Sequence, residues 1–187
     1  QSAFGGEGSF GNGAAMRVAP VGAYFADDLD VTVEAAEASA RITHAHAEGR
    51  AGAIAVAVAA AMARRTRDAP VDEAAGRIVE VVRDRTPAGQ VREGIEEAER
   101  MGDDASVAEV ARAVGSGQRV TAMDTVPFVI WSETRHLDRT SEALWQTVKG
   151  GGDRDTTAAM VGGIVSQRTE LEDVPEEWFA RREELDW

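Results

Sequence analysis

Gly150-Gly151-Gly152-Asp153-Arg154-Asp155-Thr156-Thr157-Ala158-Ala159 sets two carboxylates and a hydroxyl within four residues, behind three glycines and ahead of an apolar stretch. The pattern is that of a loop entering a helix, with the Asp oxygens beside backbone N–H groups that have no partner inside the helix. Oxygen-only donors suit a hard divalent cation such as Mg²⁺ or Mn²⁺. Asp153 and Asp155 are two apart and would point to different sides of a regular helix. Their convergence on one ion needs the loop conformation that glycines permit. Taken alone, the run also reads as an ordinary helix start with Asp153 or Asp155 as N-cap, and for an isolated D-x-D-T that reading comes first.

A second glycine-rich turn lies near the other end of the chain. Gly8-Ser9-Phe10-Gly11-Asn12-Gly13-Ala14-Ala15-Met16-Arg17 precedes an apolar segment, Ala14 to Phe25. Such a turn feeding a helix aims several N–H donors one way and can cradle phosphate oxygens without a lysine. Its bland alternative is a flexible turn, and the Gly5-Gly6-Glu7-Gly8 lead-in suggests disorder.

Between these turns the chain reads as helices and loops, with no strand alternation. Asp30 or Thr32 caps a helix through Glu34 to Glu48, which Gly49 interrupts before Ala51 to Arg65. The apolar core of that segment, Ala51 to Ala63, is too short to span a bilayer and predicts a buried central helix. Pro70 suits a first-turn position before Val71, Ala74, Ala75, Ile78, Val79 and Val82, which recur at helical spacing. Thr86-Pro87 ends that helix and leads into Gln90 to Met101. Ser106-Val107-Ala108-Glu109 is a capping-box pattern for a helix that stops at Gly115-Ser116-Gly117. Pro127 is expected to start a helix rather than sit inside one. Ser141 to Lys149, Thr157 to Ser166 and Val174 to Leu185 complete an all-α architecture with connections of ordinary length. The few aromatics are expected to be structural, with Trp145 on a core face and Trp187 free at the end.

Bulk properties narrow the function. The 187 residues suffice for one domain with a sizeable core. A net charge of −13 argues against nucleic acid and against an anionic membrane surface. With no cysteine, thiolate metal sites, disulfides and a Cys nucleophile are excluded. An anionic ligand would have to be held by local features: a metal ion, a helix start and backbone donors. The acidic runs Glu93 to Arg100 and Glu170 to Asp173 read as solvated faces. Arg17, one turn into its helix, reads as an ion-pair residue.

Ser9 to Gly22 (S-F-G-N-G-A-A-M-R-V-A-P-V-G), Thr43 to His46 (T-H-A-H), Asp124 to Phe128 (D-T-V-P-F), Gly151 to Ala159 (G-G-D-R-D-T-T-A-A) and Val174 to Trp178 (V-P-E-E-W) together resemble the ADP-ribosylglycohydrolase family, which includes the dinitrogenase-reductase-activating glycohydrolases. The order and approximate spacing hold along nearly the whole chain. The resemblance implies that residues 1–187 are the C-terminal part of a single ADP-ribosylglycohydrolase-like domain, with the catalytic Glu and a Thr-Asp-Asp metal cluster lying outside it.

By the same resemblance, Asp153, Asp155 and Thr156 are metal ligands for Mg²⁺ or Mn²⁺, with two ions expected in the complete enzyme. Ser9, Gly11, Asn12, Gly13 and His44 bind substrate. His44 and His46, two apart, face opposite ways on one helix and do not form a zinc pair. Asp124 reads first as a cap. The implied activity is hydrolysis of the glycosidic bond between ADP-ribose and a protein side chain or small acceptor, in the cytoplasm. The second possibility is a non-catalytic ADP-ribose reader or a structural, crystallin-like relative.

Overall fold

In the computed structural model, residues 7–184 are described. Trp187 lies outside them, as do Gly5 and Gly6 of the glycine lead-in. Ten α-helices are present among the described residues: α1 (Ala19–Tyr24), α2 (Leu29–Arg41), α3 (Ala47–Arg65), α4 (Val71–Arg85), α5 (Gln90–Met101), α6 (Val107–Val114), α7 (Ala122–Glu133), α8 (Thr140–Lys149), α9 (Arg154–Val165) and α10 (Glu176–Arg181). A 3-10 turn over Ala15–Arg17 precedes α1, and another over Leu171–Asp173 precedes α10. Extended pairing among these residues is limited to one bridge, Gly11 with Thr121. The all-α expectation holds.

Helix α3 is the axis. Every residue from Ala51 to Ala63 is buried, and small side chains on all its faces let α1, α2, α4 and α7 pack closely around it. At Gly22 on α1, a Cβ would lie 2.0 Å from the Ala57 carbonyl oxygen, which measures how tight the α1–α3 approach is. The main core joins α3 to Ile78 and Val82 of α4, Val126 and Ile130 of α7, and Met160 and Ile164 of α9. A second cluster of Phe128, Trp131, Ala98 and Val110 holds α5 and α6 against α7.

Several helix starts differ from the sequence reading. Asp28 caps α2, accepting from the N–H groups of Asp30 and Val31. The α2–α3 break falls at Ile42–His46, because His46 takes the N-cap of α3 and its Nδ1 accepts from Glu48 N–H at 3.2 Å. Gly49 lies inside α3. There a Cβ would come within 2.7 Å of the Ser9 carbonyl, so this glycine permits contact and does not break the helix. His44 therefore stands in a turn and His46 at a cap, and neither occupies a helix interior.

Pro127 lies inside α7, whose start is capped by Thr121 Oγ1 accepting from Asp124 N–H at 3.2 Å. Being in the second turn, it removes one backbone bond while its ring packs against Gly94 of α5, where a Cβ would lie 2.5 Å from Pro127 Cγ. Trp145 is 60% exposed and off the core face. Helix α10 is shorter than Val174 to Leu185, and α9 begins three residues before Thr157.

Candidate functional site

Two loops meet at the N-terminal ends of α7 and α9. The first, Ser9–Ala14, is tied to the segment before α7 by Asn12 N–H to the Val120 carbonyl (3.2 Å) and by Ala122 N–H to the Phe10 carbonyl (2.9 Å). Within it, Ser9 Oγ accepts from Gly11 N–H at 3.1 Å. The N–H groups of Gly13 and Ala14 have no backbone partner among the described residues, so two adjacent donors remain at the start of the 3-10 turn.

The second loop, Gly150–Asp153, turns through two left-handed glycines, Gly151 (φ 72°) and Gly152 (φ 63°). It is fastened to the loop after α6 by Asp153 N–H to the Ser116 carbonyl at 3.0 Å. The fit is close, since a Cβ on Gly152 would lie 2.2 Å from the Ser116 carbonyl oxygen, and one on Gly117 2.6 Å from Asp153 Cβ.

The loops join through Asn12. Its side-chain amide, 3% exposed, donates to Asp153 Oδ2 at 3.0 Å and to Thr125 Oγ1 at 3.2 Å. Asp153 is the N-cap residue of α9. Asp155 and Thr156 belong to the helix's first turn, not to a glycine loop, and Thr156 is buried. Asp153 itself has non-helical backbone (φ −85°, ψ 76°), so it does not follow the regular helical spacing from Asp155. Burial pushes the Asp153 carboxyl up. Hydrogen bonding to the carboxylate, that from Asn12 foremost, outweighs this and brings it below its ordinary value. Arg154, between them, is exposed.

Two carboxylates and a neighbouring hydroxyl are a hard oxygen set, and their chemistry fits part of the shell of a divalent ion. It is only part: no group of three or more His, Cys, Asp or Glu able to hold a metal occurs among the described residues.

His44 reaches the first loop from the α2–α3 turn. Cβ atoms built on Gly11 and Gly13 would lie 3.5 and 3.4 Å from its Nε2. Burial, then the charge of Arg17, lowers the His44 ring's affinity for a proton. The site residues named from sequence thus lie on two joined loops, the first turn of α9 and one adjacent turn. Sequence reasoning missed Val120, whose carbonyl fixes Asn12, and Ser116, whose carbonyl fixes Asp153. Both act through the backbone, which leaves no side-chain signature.

Asp124 bonds the loop ahead of its own helix: its Oδ2 accepts from Arg119 N–H at 2.6 Å and its carbonyl from Gly117 N–H at 2.8 Å. It braces the segment that carries Ser116. A groove of about 830 Å³ adjoins the corner through Ser116 and Gly150. Phe128 and Trp131 are core residues, their rings stacked at 6.2 Å. His136, with no partner evident in the sequence, meets Gln146 Oε1 at 3.0 Å.

Fold and corner together define an all-α protein in which a glycine turn is bonded across the chain to an acidic helix start. The chain belongs to the ADP-ribosylglycohydrolase family, whose model matches residues 1–187. It is similar to the ADP-ribosylhydrolase ARH3 of Homo sapiens, with 31% identity over 200 residues, covering 94% of this chain and 54% of the relative. The Bos taurus protein of the same name is 30% identical with the same coverage. An uncharacterized protein of Archaeoglobus fulgidus is 34% identical over 170 residues, covering 89% of this chain and 52% of its own. The chain spans about half the length of the curated relatives it matches. Among the described residues no helix is long and apolar enough to cross a membrane.

Proposed function

We propose that this chain carries the ADP-ribose-binding turn and a share of the metal ligands of a divalent-metal-dependent hydrolase. That hydrolase cleaves the glycosidic bond between ADP-ribose and a protein side chain or small acceptor. The hydrogen bond from Asn12 to Asp153 carries this reading. It sets a turn with free N–H donors beside paired carboxylates, so a diphosphate and the sugar attached to it can be held at one corner. Family membership and likeness to relatives named ADP-ribosylhydrolase support the substrate class.

In this reading Gly13 and Ala14 N–H groups receive pyrophosphate oxygens, where a turn entering a helix favours an anion. Ser9 and Asn12 shape that turn, and His44 supplies a side-chain donor at its rim. Asp153, Asp155 and Thr156 hold Mg²⁺ or Mn²⁺. A bound ion would supply charge stabilisation and orientation of hydroxyl or water oxygens as the oxocarbenium-like transition state forms. A net charge of −13 makes such local donors and a cation necessary for an anionic ligand.

Calorimetric titration with ADP-ribose, with Mn²⁺ or Mg²⁺ and then with EDTA, tests the proposal. Binding should strengthen with the ion and lose that gain in Asp155→Ala. Binding indifferent to both EDTA and Asp155→Ala would remove the metal from the site. Release of free ADP-ribose from an ADP-ribosylated protein, measured in parallel, separates a hydrolase from a reader that only binds.

A further inference from the structure

Arg17 has a different role from the ion pair its sequence position suggests. Its guanidinium donates to the Gly13 carbonyl at 3.0 Å, the Ser39 carbonyl at 3.2 Å and Thr43 Oγ1 at 2.8 Å, and it has no carboxylate partner among the ion pairs of the described residues. Thr43 Oγ1 in turn lies 2.7 Å from His44 Nδ1. The opposite edge of the ring, Nε2, faces the Gly11–Gly13 turn. One continuous run of contacts therefore leads from the glycine turn through Arg17 and Thr43 and back, by way of His44, to the same turn.

The donor inventory gives this run a direction. A guanidinium only donates, so Arg17 takes a lone pair of Thr43 Oγ1 and leaves the hydroxyl proton free. The neighbouring acceptor for that proton is a deprotonated His44 Nδ1. A proton on Nδ1 would instead aim a second positive dipole at an oxygen already facing a cation. Both considerations put the single ring proton of neutral His44 on Nε2, toward the turn.

We propose that Arg17 and Thr43 are positioning residues: they hold His44 as the neutral Nε2–H tautomer, so that it presents a fixed donor to an acceptor oxygen bound at the Gly11–Gly13 turn. The identity of that oxygen, on the diphosphate or ribose of ADP-ribose, rests on the function proposed above. The tautomer does not, because it belongs to the free protein. The lowered proton affinity of His44 is consistent with a neutral ring.

Long-range ¹H–¹⁵N correlation spectra of ¹⁵N-histidine-labelled protein near neutral pH read the tautomer directly, with His44→Gln assigning the signals. The wild type should show His44 with its proton on Nε2. Thr43→Val should shift the ring to a mixture with Nδ1–H, and Thr43→Ser should restore the wild-type pattern. An Nδ1–H ring in the wild type, or an unchanged Nε2–H population in a folded Thr43→Val, overturns the proposal. Arg17→Ala is an independent variant and should likewise admit Nδ1–H, because Thr43 Oγ1 loses the donor that directs its proton to Nδ1; an unchanged Nε2–H population in it also counts against the proposal. In the ADP-ribose titration Thr43→Val should weaken binding about fivefold, the effect of one neutral hydrogen bond. A wild type with the expected tautomer that fails to bind ADP-ribose would sink the substrate reading while leaving the positioning role intact.

Discussion

Asn12 Nδ2 and Asp153 Oδ2 are 3.0 Å apart across 141 positions of chain. The bond is partly buried, and the same amide also holds Thr125, so one side chain orients both loops of the corner. Asn12→Ala leaves a partly buried carboxylate oxygen and a buried threonine hydroxyl short of a donor. It should cost about 1–3 kcal/mol, a fall in Tm of roughly 2–4 °C per kcal/mol for a chain of this size. Asn12→Asp should be worse at neutral pH, since it sets a second negative charge beside Asp153, and the excess should shrink as acid puts one proton on the pair. Thermal melts of both variants at pH 7 and pH 3.5 check this. Equal loss at both pH values would mean that Asn12 acts through shape alone.

Gly151 and Gly152 make a matched comparison. Both have left-handed backbone, but a Cβ on Gly151 meets nothing within 4 Å, whereas one on Gly152 strikes the Ser116 carbonyl. Gly151→Ala should cost about 1–2 kcal/mol, the ordinary penalty for that conformation. Gly152→Ala should cost more and, on the function proposed above, also weaken metal-dependent ADP-ribose binding, because relief of the clash displaces Asp153. Denaturant melts and the calorimetric titration separate the two. Equal effects would show that the Ser116 contact relaxes freely.

What the sequence made legible follows from how local each signal is. The capping box at Ser106 and Glu109, both of whose bonds form, and the limits Gln90–Met101 depend on adjacent residues. The Ala51–Ala63 run is apolar on every face and was read correctly as a central helix. Pro127 was misread because its tolerance depends on Gly94, a tertiary neighbour. The break before α3 was misplaced because His46 is an uncommon cap and Gly49 looked like a breaker, when its role is to admit Ser9. At the corner, the residue types and, through the family resemblance, the meeting of the two glycine turns were legible; what each turn is fastened to was not, since the backbone carbonyls of Ser116 and Val120 do that.

Val120 is the one non-glycine residue among those described with positive φ, at 57°. A β-branched side chain is strained there, and Val120 is 57% exposed, so packing returns little. The conformation aims its carbonyl at Asn12 N–H. Asn tolerates this backbone better, and Val120→Asn should stabilise the protein by about 1 kcal/mol. Denaturant midpoints decide it, and a destabilised variant would mean that the valine side chain makes contacts that matter more than its backbone.

Glu133 ends α7 with no exposure to solvent, and neither carboxyl oxygen has a hydrogen-bond partner. Burial raises its pKa well above the ordinary carboxylate value, and the charge of Arg168 opposes this only in part. The sign follows from linkage. At acid pH both folded and unfolded chains hold the proton, and the group is neutral in either state. As pH rises past the ordinary carboxylate range, the unfolded chain releases its proton first, so stability falls until the folded pKa is reached. Glu133→Gln keeps the shape and removes the titration. Its Tm should exceed that of the wild type by a few degrees at pH 7, with the gap closing toward pH 4, where both side chains are uncharged. Melts across that range measure the effect directly. A Gln variant less stable at pH 7 would show that the carboxylate is ionised in the fold and stabilised by Arg168, reversing the balance between desolvation and charge pairing drawn from its surroundings.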